Sequence, residues 1–262
     1  MTEATTAKVH WNGGIQEEAI HILKEDGGMI VSPTKVGYII MTSDDKGLER
    51  KFAAKNRKRN KPGVVLCGSV EQVKELAQMT PEIEQMYQQH WDEDILLGCI
   101  LPWQAEAKSK IPNDGTKDLM MDQRETSCFV IKFGTPSENI AKEMWEKYGK
   151  FSFASSANPS GKGNRGLVAG IGGQIENAAD LIIEADDYVA SIQPDKTLDT
   201  RYEQGVMVSM VDEAGKLIPE QNGAVGVQPA PIVIRKGLGV DKIMKIMSDI
   251  FSSWDYRHGF YY

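Results

Sequence analysis

The sequence predicts an α/β fold: a twisted, open, partly mixed sheet covered by helices. Two observations predict it. Short apolar runs of strand length alternate with stretches of helical periodicity along the chain, and cap and turn residues punctuate the alternation. Neither an internal repeat nor a low-complexity tract interrupts the pattern.

Ile15, Ala19, Ile20, Ile22 and Leu23 recur at helical spacing until Gly27 and Gly28 stop the helix. Residues 29–31 then read as a buried strand ending at Pro33. Residues 46–54 read as a short helix delivering a basic segment, and 64–67 as the next strand. Ser69 is placed to cap a helix over 70–78, and Pro81 to open one reaching His90. Strands follow at 95–101 and 128–133, separated by a polar stretch, 108–125, whose weak periodicity reads as a long loop. Residues 138–148 read as a helix, 151–154 as a strand, 174–179 as a helix and 181–184 as a strand. The last strands are expected at 205–211 and 232–235 and the last helix at 240–254, while 186–204 and 219–231 read as linkers or lids.

With 262 residues, 41% hydrophobic and 26% charged, the chain is expected to form a single domain over 1–262 ending in an aromatic helix and tail, 240–262. For that tail two readings are open: packing on the body or on a second subunit of a homodimer, or an aromatic lid over a planar ligand. No apolar run approaches a membrane span, and the first residues have neither a basic nor an apolar stretch, so the expected location is the cytoplasm. Cys67, Cys99 and Cys128 are widely spaced and read as buried thiols, and no pair has zinc-ligand spacing. A net charge of −7 argues against a nucleic-acid surface.

The chemistry concentrates in two islands. Lys55-Asn56-Arg57-Lys58-Arg59-Asn60-Lys61-Pro62 packs five cations into seven residues before a strand-like run. Ser155-Ser156-Ala157-Asn158-Pro159-Ser160-Gly161 follows another strand with hydroxyl and amide side chains. Fixed cations and small donors are what a polyphosphate needs, with Arg able to grip two oxygens and Lys acting as a point charge. Taken singly, a basic run also suits a solvated face, and a Ser/Asn/Pro/Gly cluster a plain turn.

In this order the motifs resemble the YrdC-like threonylcarbamoyl-adenylate synthases of tRNA modification. Ser32-Pro33-Thr34-Lys35-Val36-Gly37-Tyr38 stands where that family has Pro-Thr-acidic-Thr-aliphatic-Tyr-Gly. Lys55, Arg57, Lys61 and Pro62 match its Lys-x-Arg-x-x-x-(Lys/Asn)-Pro, Ser156 and Asn158 its Ser-x-Asn, and Ile234-Arg235-Lys236-Gly237 its late hydrophobic-Arg-x-Gly. The resemblance implies a concave nucleotide pocket in which Lys55 and Arg57 serve catalysis and Arg57, Lys61, Ser156, Asn158, Asn164 and Arg235 hold ATP. It implies Mg²⁺ as cofactor and bicarbonate as co-substrate: an amine captures bicarbonate as a carbamate, whose oxygen attacks the α-phosphate and releases pyrophosphate. Such chemistry needs positioning and charge neutralisation more than an acid–base pair.

The departures fall on the amino-acid positions. Val36 replaces a Thr and Lys35 an acid; Lys132, in Ile131-Lys132-Phe133-Gly134, replaces an Arg; Val208, followed by Ser209, replaces a Ser; Leu66 replaces a polar residue; and Trp91-Asp92-Glu93-Asp94 replaces Trp-Pro-Gly-Pro. Thr34, Lys35, Val36, Leu66, Lys132, Val208 and Ser209 are accordingly the expected substrate-binding set. Two readings compete: drift after loss of activity, or retained ATP and bicarbonate machinery with a pocket re-cut for another amine. The second is preferred because drift would have eroded Arg57, Asn158 and Arg235 as readily. The expected function is an ATP- and bicarbonate-dependent carbamoyl-adenylate synthase of altered amine specificity, acting on a small amine or amino acid and handing its product to a separate acceptor enzyme. Ordinary threonylcarbamoyl-adenylate synthesis, nucleotide binding without turnover and RNA binding are the competing expectations. Lys35 is either solvated or matched to a ligand with an extra acidic group.

Overall fold

A computed structural model describes residues 6–56, 63–159 and 162–259. Among these residues eleven strands form one sheet: β1 (Ala7–His10), β2 (Met29–Thr34), β3 (Gly37–Thr42), β4 (Val64–Leu66), β5 (Leu97–Pro102), β6 (Thr126–Ile131), β7 (Phe153–Ser156), β8 (Leu181–Glu184), β9 (Val206–Ser209), β10 (Ile232–Arg235) and β11 (Asp255–Tyr256). Their order is β1-β8-β2-β3-β7-β4-β6-β5-β9-β10-β11, with parallel and antiparallel neighbours mixed and both ends open. The helices are α1 (Glu17–Lys24), α2 (Asp45–Lys55), α3 (Val70–Leu76), α4 (Pro81–Asp92), α5 (Ala105–Ser109), α6 (Thr116–Met120), α7 (Thr135–Tyr148), α8 (Gly173–Ala178), α9 (Asp186–Ile192) and α10 (Val240–Ile250).

Local chemistry sets many of these boundaries. Asp44 caps α2 by accepting from Gly47 N, and Asn56 ends it in the left-handed conformation. Ser69 caps α3 as expected, and Thr80 with Pro81 opens α4. Strand β2 continues past Pro33 for a geometric reason. Met29 N points to the β8 side, where it bonds Asp180, and every second nitrogen points the same way. The pairing with β8 covers only Ile30 and Val31, so Pro33 lacks its N–H where no strand is waiting for it.

Strand alternation divides the core. Val65, Phe129, Leu97, Cys99, Val206, Val208 and Val233 face a large cluster roofed by α2, α3, α4 and α10. The alternate residues Val64, Cys128, Val130, Ile100, Met207 and Ile234 face the other, concave side. Strand β2 is covered on both sides, Ile30 by α1 and α7 and Met29 and Val31 by α8, which is why it reads as an unbroken apolar run.

The structure corrects several sequence expectations. The stretch 108–125 is not a bare loop: α5 ends in it and α6 lies within it, both too short to show a helical period. The stretch 186–204 opens with α9, α10 stops at Ile250, and β1, β3 and β11 add strands that were not expected. The described part of the tail, up to Gly259, packs on the body: β11 pairs with β10, and Trp254 lies against the α10 side of the core. Among the described residues, no helix is long and apolar enough to cross a membrane.

Candidate active site

The concave face opens into a cavity of about 730 Å³. Its floor is the inward-facing set of β4, β6, β5 and β9, namely Val64, Leu66, Cys128, Val130, Gly98 and Met207. The Cys128 thiol is held up to about 12 by burial, only partly offset by Arg235, and is an inert wall rather than a nucleophile.

The Ser/Asn island delivers the polar side. Strand β7 carries Ser155 and Ser156 to the cavity and the chain turns away at Asn158. Lys55, at the end of α2, donates to the Ser156 carbonyl and reaches Ser156 Oγ at 3.2 Å, joining the two islands. It lies behind the lining rather than in it. Ser155 Oγ is buried and has no hydrogen-bond partner among the described residues, an orphaned donor of the kind a ligand satisfies. The sequence had marked its island but not Ser155 itself.

Asn158 Nδ2 donates to the carbonyls of Pro159 and Lys162, stapling the loop and leaving Oδ1 for other partners. Asn164 lines the cavity, but its amide is committed to the fold: Nδ2 donates to Tyr38 O at 2.9 Å and Ala157 O at 3.1 Å, and Oδ1 accepts from Gly166 N at 3.0 Å. The approach is so close that a Cβ on Gly37, whose φ is +127°, would run into Asn164 Oδ1. Asn164 therefore braces the pocket wall that it lines, its amide already engaged with the main chain. Tyr38 is fixed at its other end, donating to Asp186 at 2.6 Å and accepting from Ala185 N at 2.9 Å.

Arg235 Nε donates to Gly205 O at 2.9 Å, which aims the guanidinium along the cavity rim. Beside it a strap between α9 and β9 contributes Arg201, Tyr202, Glu203 and Gln204, facing Lys162. Gln193 anchors the strap by exchanging two bonds with the Tyr202 main chain, at 2.8 and 2.9 Å. Arg201 Nη1 donates to Arg165 O at 3.0 Å, and Glu203 accepts from Arg165 N. Lys162 and Arg201 were not foreseen, since isolated cations in polar stretches carry no periodic signal. Arg57 and Lys61 lie outside the described residues.

Of the expected substrate set, Thr34, Val36 and Leu66 line the cavity. The Thr34 hydroxyl is occupied, donating to Gly37 O at 2.7 Å and accepting from Val36 N at 3.2 Å. Val208 is corrected: it is fully buried on the helix side of β9, while Met207 holds the cavity side. Ser209, on the concave parity, faces a second cavity of about 640 Å³ beyond Ile100. Lys35 and Lys132 do not line the cavity either. Lys35 is buried and pairs with Asp94 at 2.9 Å, and Lys132 sits 3.3 Å from the same carboxylate, over the Trp91 ring. Lys132 has φ +55°, the left-handed conformation, which breaks the strand alternation there and lets its neighbour Phe133 line the cavity. Partial burial works against the Asp94 carboxylate, but the two lysines outweigh it and hold its pKa below the ordinary aspartate value. Glu138, whose carboxylate accepts from Gly134 N at 2.6 Å, is shifted the other way by burial.

Comparison with known proteins places this geometry. The Sua5/YciO/YrdC family model, described as telomere recombination, matches residues 22–208. No curated protein gave a significant match. A hypothetical protein of Streptococcus mutans is 65% identical, with TM-score 0.95 over 98% of this chain and 100% of its own. Pyrococcus abyssi Sua5, solved with L-threonine, shares the fold at 21% identity, TM-score 0.60, over 94% of this chain and 61% of Sua5. Escherichia coli YciO does so at 16% identity, TM-score 0.61, over 92% and 98% of the two chains. This chain thus spans about three fifths of Sua5. With its family match running from α1 to β9, the chain belongs to the Sua5/YciO/YrdC family, which is related to the threonylcarbamoyl-adenylate synthases.

Proposed function

We propose that this protein is an ATP- and bicarbonate-dependent carbamoyl-adenylate synthase whose amine specificity differs from that of its threonine-using relatives. One observation carries the reading: a single cavity joins a polar rim of Ser155, Ser156, Lys162, Arg201 and Arg235 to an apolar floor. The rim suits a polyphosphate, offering point charges, planar guanidinium groups and hydroxyl donors. Glu203 is the carboxylate of the lining among the described residues and would offer an oxygen to a phosphate-borne Mg²⁺, an ion that keeps most of its shell as water and phosphate oxygen. When bound, that ion neutralises phosphate charge.

The proposed reaction has two steps. A neutral amine and bicarbonate condense, forming the N–C bond of a carbamate and releasing water. A carbamate oxygen then attacks the α-phosphorus, and the bond to pyrophosphate breaks with its electron pair leaving on pyrophosphate. The rim residues would bind and orient the triphosphate and stabilise charge on the departing group. The activated carbamoyl group would then pass to a separate acceptor enzyme.

The test is pyrophosphate release from ATP and Mg²⁺ with a panel of amines, with and without bicarbonate. Bicarbonate-dependent release supports the reading. ATP binding without release from any amine would make the chain a nucleotide-binding protein, and unchanged release in carbonate-depleted buffer would point to direct adenylation of a carboxylate. Ordinary threonylcarbamoyl-adenylate synthesis is the second reading, favoured by the shared fold with the threonine-bound Sua5. Threonine as the best amine of the panel would establish it.

A further inference from the structure

We propose that Tyr202 is the stacking surface for the base of the bound nucleotide, an inference that rests on the proposed function and names a residue of that same site. Among the described residues three aromatic side chains line the cavity: Tyr38, Phe133 and Tyr202. Tyr38 is 1% exposed with its hydroxyl fixed between Asp186 and Ala185, and Phe133 is 3% exposed within the apolar wall. Tyr202 is 38% exposed and stands on the strap, next in sequence to Arg201. Its main chain is held at both polar groups. Gln193, itself buried, donates to the Tyr202 carbonyl at 2.9 Å and accepts from the Tyr202 N–H at 2.8 Å. On either side, Arg201 and Glu203 bond the Arg165 main chain, and Gln204 donates to Lys236 O at 2.9 Å while its own carbonyl accepts from Leu238 N at 3.0 Å. The ring is thus carried at a fixed point of the rim, with only its two side-chain torsions left to order.

A nucleotide joins two unlike parts, and the rim holds a different group for each. Its phosphates suit the cations at Lys162, Arg201 and Arg235, but its base is an uncharged plane whose faces gain most from another plane. Tyr202 supplies that plane a short way from the charges. Arg235 is held through Gly205 O at 2.9 Å, and Gly205 lies three residues along the strap, at most about 11 Å of chain from Tyr202. A ring left partly in water gains from being covered, and stacking tolerates every base because each has a π face. Tyr202 therefore adds affinity for nucleoside triphosphates over inorganic polyphosphate and leaves the choice among bases to other contacts.

The test is calorimetry of the full chain with Mg²⁺ and either ATP or inorganic tripolyphosphate, on wild type, Tyr202→Ala and Tyr202→Phe. Both variants keep the main-chain bonds to Gln193. The wild type is expected to bind ATP more tightly than tripolyphosphate. Tyr202→Ala should weaken ATP by about ten-fold or more, the usual cost of a lost base stack, and change tripolyphosphate by less than about two-fold. Tyr202→Phe, which keeps the ring, should stay within about two-fold of wild type for both. Unchanged ATP affinity in Tyr202→Ala, equal weakening of both probes, or a Phe variant as weak as the Ala variant overturns the inference while leaving nucleotide binding in place. Failure of the wild type to bind ATP overturns the proposed function itself, and the inference with it. The expected split between the two probes, without pyrophosphate release from any amine, supports the stacking role and overturns the adenylation chemistry.

Discussion

The Lys35 ammonium meets Asp94 at two points, donating to its main-chain carbonyl at 2.6 Å and pairing with Oδ1 at 2.9 Å. Lys132 approaches the same Oδ1 at 3.3 Å, so one carboxylate holds two cations beside, and not inside, the cavity. Three of the substitutions that the family motifs mark as alterations of an amino-acid site, Lys35, Asp94 and Lys132, thus form an ion cluster of their own.

That cluster predicts the behaviour of Asp94→Asn. The variant leaves two lysines facing each other without a counter-charge, but the Asp94 side chain is 64% exposed and solvent screens the pair. The expected loss is about 1 kcal/mol of stability, read as a lower urea midpoint at unchanged m-value. ATP affinity should stay within about two-fold of wild type, because the cluster lies outside the cavity lining. A ten-fold fall in ATP affinity would place these lysines in the nucleotide site.

The strap predicts a new phosphate contact. Arg201→Ala and Arg235→Ala should each weaken ATP binding by about one to two orders of magnitude, the usual cost of a lost charge-assisted contact. Arg57→Ala, at a position outside the described residues, should do the same if the basic island reaches the nucleotide. Calorimetry on the three variants checks this, and wild-type affinity in Arg201→Ala would return the strap to a purely structural role.

His90 predicts an acid limb in stability. Its ring is fully buried and Nδ1 lies 2.7 Å from the Met86 carbonyl, so Nδ1 carries the proton and donates. Burial lowers its pKa from 6.5 to about 4, which keeps the folded ring neutral. Between those values the unfolded chain binds the extra proton, so stability is full above pH 6.5 and falls as pH drops toward 4. The limit of this contribution is about 3 kcal/mol. His90→Gln, which keeps a donor but does not titrate, should flatten the difference in melting temperature between pH 7 and pH 4.5; an unchanged slope would assign the acid limb to carboxylates.

Much of this architecture was legible because apolar periodicity records burial. Strand β2 and helices α7 and α10 announced themselves through runs and repeats, and Ser69 and Pro81 marked helix starts through their own side-chain chemistry. Strand β3 was missed because it follows β2 after only the two residues Lys35 and Val36, and its first two residues, Gly37 and Tyr38, belong to the motif that ends there. Helices α5 and α6 span five residues each, less than two turns, too few for a period to show. The site was half legible. Motif chemistry marked Ser156, Asn158 and Arg235, which line the cavity, whereas Arg201 and Lys162 come from long-range placement of polar loops that local sequence does not encode. The lysines at 35 and 132 misled because a cation in the right place along the chain was turned onto Asp94 by the fold.

Parity on β9 supplies the sharpest test. Val208 is buried on the helix side and Met207 on the cavity side, one residue apart. Val208→Ser removes buried apolar surface and introduces a hydroxyl into a dry cluster, so it should cost about 2–3 kcal/mol of stability. It should leave the affinity for an ATP analogue and for bound amines unchanged in the folded protein. Met207→Ser should also cost stability, but it opens space on the cavity floor beside Gly98 and should change the ranking of amines by size. Equilibrium denaturation gives the first quantity and calorimetry the second. A change in amine ranking from Val208→Ser, with none from Met207→Ser, would mean that β9 presents its other face to the ligand.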